Sequence, residues 1–206
     1  MKDITIIIVS YDKPIELKKK ILLYRDSYSL LILDKSNFSI ANFCKENLNK
    51  SSKYLYFPDK SYLERMIIAK KLIKTKYITI QNDDDYYLPN YIEKSIKFLD
   101  INKDYSCVGG YVFSFRKIFN SIFLKRIQLK MSNITNAKYQ DRVKKVLRTD
   151  YANIYHGVMR SSVFKDDTDL LKKNLRYYKD RLFWVFHQQI TILMVLSGKV
   201  KILNQI

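Results

Sequence analysis

Glycine and proline are scarce in this 206-residue chain, at 4 and 3 residues. Neither G-x-G-x-x-G nor G-x-x-x-x-G-K-[ST] occurs, which removes the main support for a dinucleotide oxidoreductase or a P-loop ATPase. Any phosphate must therefore be held by a metal ion and basic side chains. Only two cysteines are present, Cys44 and Cys107, far apart and without a histidine or second cysteine at a ligand spacing. Neither a disulfide framework nor a zinc site is suggested, and the pair reads as buried thiols in a reducing cytoplasm. Neither of the two histidines has a partner pattern: His187 sits among apolar residues and reads as a core or surface side chain, and His156 lies on an expected strand. No apolar run is long enough for a membrane span: "LFWVFHQQITILMVL" (182–196) is interrupted by His187, Gln188 and Gln189 and falls short of roughly 20 residues, so it reads as a core helix. The opening "MKDITIIIVS" is too short for a signal peptide and runs at once into "YDKP", so a cytoplasmic protein is expected.

What the chain has in excess is positive charge. Lysine and arginine number 38 against 20 acidic residues, a formal net charge of +18. Such a field favours phosphates, nucleic acid or an anionic bilayer, although part of it reflects a composition rich in Lys, Ile, Asn and Tyr. With 47% hydrophobic and 28% charged residues the composition is that of a globular protein, and the length fits one domain with a real core. There is no internal repeat or low-complexity linker, and an end on the expected strand "KVKIL" suggests continuation into a longer protein.

The first hundred residues alternate short β-rich runs with helical periodicity, the pattern of an α/β fold with a mostly parallel central sheet flanked by helices. "ITIIIV" (4–9) reads as a strand buried on both faces, and Pro14 suits the first turn of the helix "IELKKKILLY". "YSLLILD" (28–34), "KYLYF" (53–57) and "YITIQ" (77–81) are further strands. Between them lie the helices "SIANFCKENL", with Ser39 as cap, and "SYLERMIIAKKLIKT"; Pro89 opens the next helix. Ser10, Tyr11, Asp34, Pro58 and the aspartates of "TIQNDDDYYLPN" (79–90) fall at the carboxyl ends of strands, where open α/β sheets bind ligands. Farther on, "YSCVGGYVFSF" (105–115) reads as a strand broken at Gly109 and Gly110, and "YANIYHGVMR" (151–160) as another strand.

Asp83, Asp84 and Asp85 stand side by side, and adjacent carboxylates repel unless a cation sits among them. Mg²⁺ or Mn²⁺ meets that need by taking one or two carboxylates together with the phosphate oxygens of a nucleotide. The plain alternative is a solvated turn ahead of the helix at Pro89. An EF-hand is excluded, because alternating oxygen ligands and a central glycine are missing.

"TIIIVSYDKPIELKKKI", "LLILDKS" and "YITIQNDDDYYLPNYIEKSIKFL" together resemble the nucleotide-binding half of a GT-A glycosyltransferase of the inverting family 2 type, found in bacterial surface-polysaccharide synthesis. The likeness runs to about residue 115 and continues more faintly through "YKDRLFWVFHQQITILMVLSGKVKIL". It implies one GT-A domain over 1–206, with 1–115 as the nucleotide-sugar-binding half and 116–206 as the acceptor-side half. It implies that Ser10 and Tyr11 line the base pocket, that Asp34 binds the nucleobase edge, and that Arg65 contacts the nucleotide. Without the family, Arg65 reads as an exposed helical residue beside Glu64, Asp34 as a turn residue, and Gly109–Gly110 as a β-bulge in place of a close approach to the donor sugar. The family's acidic motif is usually Asp-x-Asp. Here Asn82 stands where many members have the first aspartate, so Asp83 is assigned to the ribose and diphosphate, Asp84 to the metal, and Asp85 to a shared or alternative role.

An inverting transferase needs a carboxylate to take the acceptor's proton. By resemblance this is Asp180 in "YYKDRLFW", with Asp166, Asp167 and Asp169 as runners-up; the plain alternative for Asp180 is a first-turn helix carboxylate. The implied partners are a nucleotide-sugar donor, UDP-linked in the first instance, and a glycan or lipid-linked acceptor; nucleic acid is not expected. "FSFRKIFNSIFLKRIQLKM" (113–131), written on a helix, gathers much of its apolar set on one side and would suit an anionic membrane surface, or simply pack on the sheet. Two other functions compete. A sugar-phosphate nucleotidyltransferase would carry a Gly-rich, Arg-containing loop that "VSYDKPIE" lacks, and a nucleic-acid-binding module would leave the aspartates without a role.

Overall fold

A computed structural model describes residues 2–118, 121–126, 132–148, 152–165 and 182–203. Two compact units are formed, one from Met1–Tyr87 with Met159–Ile190, the other from Leu88–Val158 with Thr191–Ile206.

In the first unit, β1 (Ile4–Ser10) is buried at every position, as its unbroken apolar run requires of a strand covered on both faces. Helix α1 (Pro14–Tyr24) begins on its proline and buries Leu17, Lys20, Ile21 and Tyr24, an i, i+3, i+4, i+7 stripe in which one place is taken by a lysine. There follow β2 (Ser29–Asp34), α2 (Ala41–Asn47), β3 (Lys53–Tyr56), α3 (Tyr62–Leu72) and β4 (Tyr77–Asn82). A capping box starts α3: Glu64 N–H donates to Ser61 Oγ and Ser61 N–H to Glu64 Oε2. Ser39 acts one residue outside the true helix start, its Oγ accepting from Ala41 N–H at 3.2 Å.

The four strands lie parallel in the order β3-β2-β1-β4. The chain thus steps outward from β1 to β3, then returns to the opposite side of β1. That reversal makes the carboxyl ends of β1 and β4 the topological switch point, where an open sheet leaves a crevice. Register sets Ser10 beside Asp34 and Val9 beside Asn82, so the candidate residues at the strand ends come level. Met159 and Arg160 add a short antiparallel pairing to Ile78 and Tyr77.

The second unit contains α4 (Pro89–Ile101), β5 (Tyr105–Gly110), β6 (Phe113–Ile118), β7 (Ser121–Arg126) and α5 (Tyr139–Leu147). A 3₁₀ turn (Ala152–His156) in this unit leads to β8 (Val158–Arg160), whose last two residues belong to the first unit; α6 (Leu182–Ser197) is shared between the units in the same way, and β9 (Lys199–Leu203), in the second, pairs parallel with β5. Arg142, 8% exposed, ties α5 down by donating from Nε to Val195 O at 2.7 Å and from Nη1 to Asn136 O and Ala137 O. The whole is a mixed α/β fold whose strands pair mostly in parallel.

Three expectations are corrected. The segment from Phe113 to Arg126 forms an antiparallel hairpin in place of an amphipathic helix, with Phe113 opposite Arg126 and Ile118 opposite Ser121. Its Phe-Ser-Phe-Arg start has a period of two and its residues are aromatic and β-branched, which favours pairing over a helical stripe. The membrane-surface argument built on that helix falls with it. Residues 152–156 form a 3₁₀ turn in place of strand, closed by Gly157 N–H donating to Ile154 O at 2.7 Å. Third, the interruption of the strand expected over 105–115 falls just after Gly110, between β5 and β6, and the irregularity within β5 lies between Tyr105 and Cys107, not at the glycines. Among the described residues no helix is long and apolar enough to cross a membrane.

Gly157 is needed for space. A Cβ there would lie 2.6 Å from Cys107 Sγ, 2.7 Å from Val108 O and 2.9 Å from Ile154 O. Gly157→Ala is expected to lower stability by about 1–3 kcal/mol, read as an earlier midpoint in urea unfolding.

Candidate functional site

The acidic turn is held by β1 and by a lysine beneath it. Asp83 follows β4 directly and is only 6% exposed. Its Oδ2 accepts from the Tyr11 backbone N–H at 2.8 Å and from Ser10 Oγ at 3.1 Å, joining the ends of the two strands that flank the switch point. Asp84 is the outward member, its side chain 57% exposed, with Oδ2 2.6 Å from Lys13 Nζ; the same ammonium lies 3.7 Å from Asp83 Oδ1. Hydrogen bonding to Lys13 holds the Asp84 carboxyl below the usual carboxylate range and raises the Lys13 ammonium, so both are charged near neutral pH. Asp85 is exposed, with Oδ2 accepting from Asn82 Nδ2 at 3.1 Å.

Lys20 occupies the polar place in the buried stripe of α1. Fully buried, it donates from Nζ to Asn82 O at 2.6 Å and to Asp85 O, the two ends of the acidic turn, and lies 4.6 Å from the Tyr86 ring centre. Burial pushes its pKa down to about 8, against the opposing pull of Asp85, Asp83, Asp84 and Glu16. The sign follows from linkage: between about pH 8 and the ordinary lysine value of 10.5 the folded chain has released a proton that the unfolded chain keeps. The Lys20 contribution to stability therefore increases as pH rises through that window. Lys20→Met is expected to remove this rise, measured as the unfolding midpoint from pH 7 to 10.

An open cleft of about 240 Å³ lies at the switch point, lined by Val9, Ser10, Tyr11, Tyr62, Arg65, Asn82, Asp83 and Asp84. Tyr11 is 60% exposed, whereas Arg65 is 4% exposed and so is not the solvated helix residue that its neighbour Glu64 would suggest. Its Nη1 donates to Leu33 O at 2.7 Å and Ser10 O at 3.1 Å, bridging the ends of β2 and β1. Burial lowers its pKa from the ordinary guanidinium value. The structure thus brings Ser10, Tyr11, Arg65, Asp83 and Asp84 to one cleft, with Asp85 on the same turn. Asp34 is close in register but fully buried: Oδ1 accepts from Ser36 N–H at 2.9 Å and Ser36 Oγ at 2.6 Å, Oδ2 from Tyr54 Oη at 2.7 Å. Asp180, Asp166, Asp167 and Asp169 lie outside the described residues.

Four contributors had no motif to mark them: Lys13, Lys20, Tyr62 and Asp12. The only available signal for Lys20 is its place in an otherwise apolar stripe. Asp12 takes a left-handed φ of 54° and accepts from Asn37 N–H at 2.7 Å and Asn37 Nδ2 at 2.8 Å, fastening the loop after β1 to the loop after β2.

Chemically, the turn offers hard carboxylate oxygens on an exposed edge, and a cation already sits there in the form of the Lys13 ammonium. That arrangement fits a divalent ion. Among the described residues no group of three or more His, Cys, Asp or Glu side chains is placed to hold a metal ion.

No family model and no curated protein matches the chain. Solved structures do. TarS from S. aureus, residues 1–349, superposes with a TM-score of 0.66 at 15% identity, covering 100% of this chain and 59% of that one. The chain thus spans less than two thirds of TarS. A 4-diphosphocytidyl-2C-methyl-D-erythritol synthase from Anaerococcus prevotii gives 0.56 at 12%, covering 98% and 86%. The mannosyltransferase PcManGT from Pyrobaculum calidifontis, in complex with GDP-Man and Mn²⁺, gives 0.50 at 10%, covering 80% and 46%. At these identities the likeness speaks to architecture: the chain has the GT-A glycosyltransferase fold.

Proposed function

We propose that this protein is a metal-dependent glycosyltransferase that moves a sugar from a nucleotide donor, UDP-linked in the first instance, to a glycan or lipid-linked acceptor with inversion. The observation that carries this reading is the acidic turn at the switch point, with Asp83 drawn inward by Ser10 and Tyr11 and Asp84 presented outward. Asp84 and Asp85 would hold Mn²⁺ or Mg²⁺, which when bound supplies positive charge to the leaving diphosphate. Asp83 serves the ribose and diphosphate, Ser10 and Tyr11 the base pocket, and Arg65 braces that pocket from below. Lys13 adds a second cation at the phosphate end.

A nucleotidyltransferase reading draws on the shared fold of the erythritol synthase, but it would use a nucleoside triphosphate. The two readings separate in a thermal-shift panel of nucleoside mono-, di- and triphosphates with Mn²⁺. Diphosphates at about 100 times Kd should add about 2.7 kcal/mol of stability, and Asp84→Ala should abolish the gain. A larger gain with triphosphates would favour nucleotidyl transfer. No gain with any nucleotide, together with a gain from DNA or RNA, would sink the transferase reading.

A further inference from the structure

We infer that helix α1 holds the acidic turn in the shape that receives the metal ion, with Lys20 and Tyr24 as positioning residues that act through Asp84 and Asp85. This deepens the proposed function and rests on its reading of those two carboxylates as the metal edge.

The turn has little of its own to fix it. "NDDDYY" (82–87) contains neither glycine nor proline, and the main-chain bond that closes it, Asp85 N–H to Asn82 O, is long at 3.4 Å. Repulsion among three adjacent carboxylates works against any compact form.

The restraint comes from α1. Glu16, Lys20 and Tyr24 recur every fourth residue, so they share one side of the helix, and each reaches the turn. Lys20 Nζ donates to Asn82 O at 2.6 Å and to Asp85 O, spanning the three aspartates from below. Tyr24 Oη accepts from Tyr87 N–H at 2.7 Å and donates to Tyr87 O at 3.0 Å, which fixes the end of the turn. Tyr86 Oη donates to Glu16 Oε2 at 3.2 Å. Lys20 and Tyr24 are both fully buried, so neither can touch an ion or a nucleotide in the cleft. Whatever they do for binding passes through the main chain of the turn. Held in this way, Asp84 and Asp85 meet the ion already ordered, and the entropy of arranging them is not charged against binding.

The test measures Mn²⁺ binding by electron paramagnetic resonance in the presence of UDP, CDP, GDP or ADP, together with amide exchange of the free protein. The variants are Lys20→Met, Tyr24→Phe and, as a control on the same buried stripe, Ile21→Val, which removes one methylene and no polar bond. Lys20→Met and Tyr24→Phe should each weaken Mn²⁺ binding beside the nucleotide at least about tenfold. Both should also quicken exchange in 83–86, a segment that leaves out the Tyr87 amide held by Tyr24 itself. Ile21→Val should lower the melting temperature and change neither reading. Tyr24→Phe alters no charge, so it separates shape from electrostatics. Were Lys20 acting by charge alone, Lys20→Met would bind Mn²⁺ more tightly and Tyr24→Phe would keep the wild-type affinity. That pattern overturns the inference, as does faster exchange with unchanged Mn²⁺ affinity, which would leave α1 a structural support only. A wild type that binds no Mn²⁺ with any of the four nucleotides removes the reading of Asp84 and Asp85, and the inference falls with it.

Discussion

Asp83→Ala is expected to lose all stabilisation by nucleoside diphosphate and, without ligand, to melt several degrees below the wild type. Asp83 joins the ends of two strands: Oδ2 takes the Tyr11 N–H and the Ser10 hydroxyl from the end of β1, while the residue itself directly follows β4. Hydrogen bonds to a charged acceptor contribute roughly 1.5–3 kcal/mol each, and here the Tyr11 N–H and the buried Ser10 hydroxyl would be left to water or to nothing. A loss of about 2–3 kcal/mol corresponds to some 4–12 °C for a chain of this size. The informative control is Asp83→Asn, which keeps a carbonyl oxygen for Tyr11 N–H and removes the charge. It should retain most of the stability and still lose nucleotide binding. Equal nucleotide-dependent shifts in wild type and Asp83→Asn would show that the carboxylate does not serve the ligand.

The second large effect is at Asp180. On the acidic turn each carboxylate already has an internal partner: Asp83 has Ser10 and Tyr11, Asp84 has Lys13, and Asp85 has Asn82. Under the proposed function all three serve the donor side, so proton removal from an acceptor hydroxyl calls for a carboxylate from another segment. Asp180→Asn should reduce sugar transfer by about 10²–10⁴-fold and leave the nucleotide-dependent thermal shift intact. If transfer and donor binding fall together, Asp180 belongs to the donor site or to the fold. If neither falls, Asp166, Asp167 and Asp169 are next to be replaced.

The difference in character between these two residues marks how far the amino-acid sequence could be read. "ITIIIV" and "YITIQNDDD" are visible because a strand covered on both faces must be apolar throughout, and a break into three carboxylates at its end has few causes. Pro14 and Pro89 mark helix starts for equally local reasons. Tertiary facts were not visible in this way. Lys20 is one of three consecutive lysines, and nothing in "KKK" distinguishes the buried one except helical phase. Tyr62 is one of 17 tyrosines, and its ring at the cleft is set against Phe186 and His187, more than a hundred positions away in the chain. Asp34 was legible as a strand-end acid but not as a saturated one, because Tyr54 reaches it only once β2 and β3 are paired. The hairpin at Phe113–Arg126 misled because a segment that mixes Phe, Ile, Lys and Arg satisfies both a helical stripe and a strand alternation, and only its pairing partner decides.

Hydrogen exchange read by mass spectrometry, with and without a saturating nucleoside diphosphate and Mn²⁺, tests most directly whether the β1–β4 crevice is the nucleotide site. Slowed exchange concentrated in 10–13, 61–65 and 82–87 is the expected result, strongest at the Tyr11 amide beside Asp83. Binding that leaves these three segments unchanged and slows exchange elsewhere would contradict it.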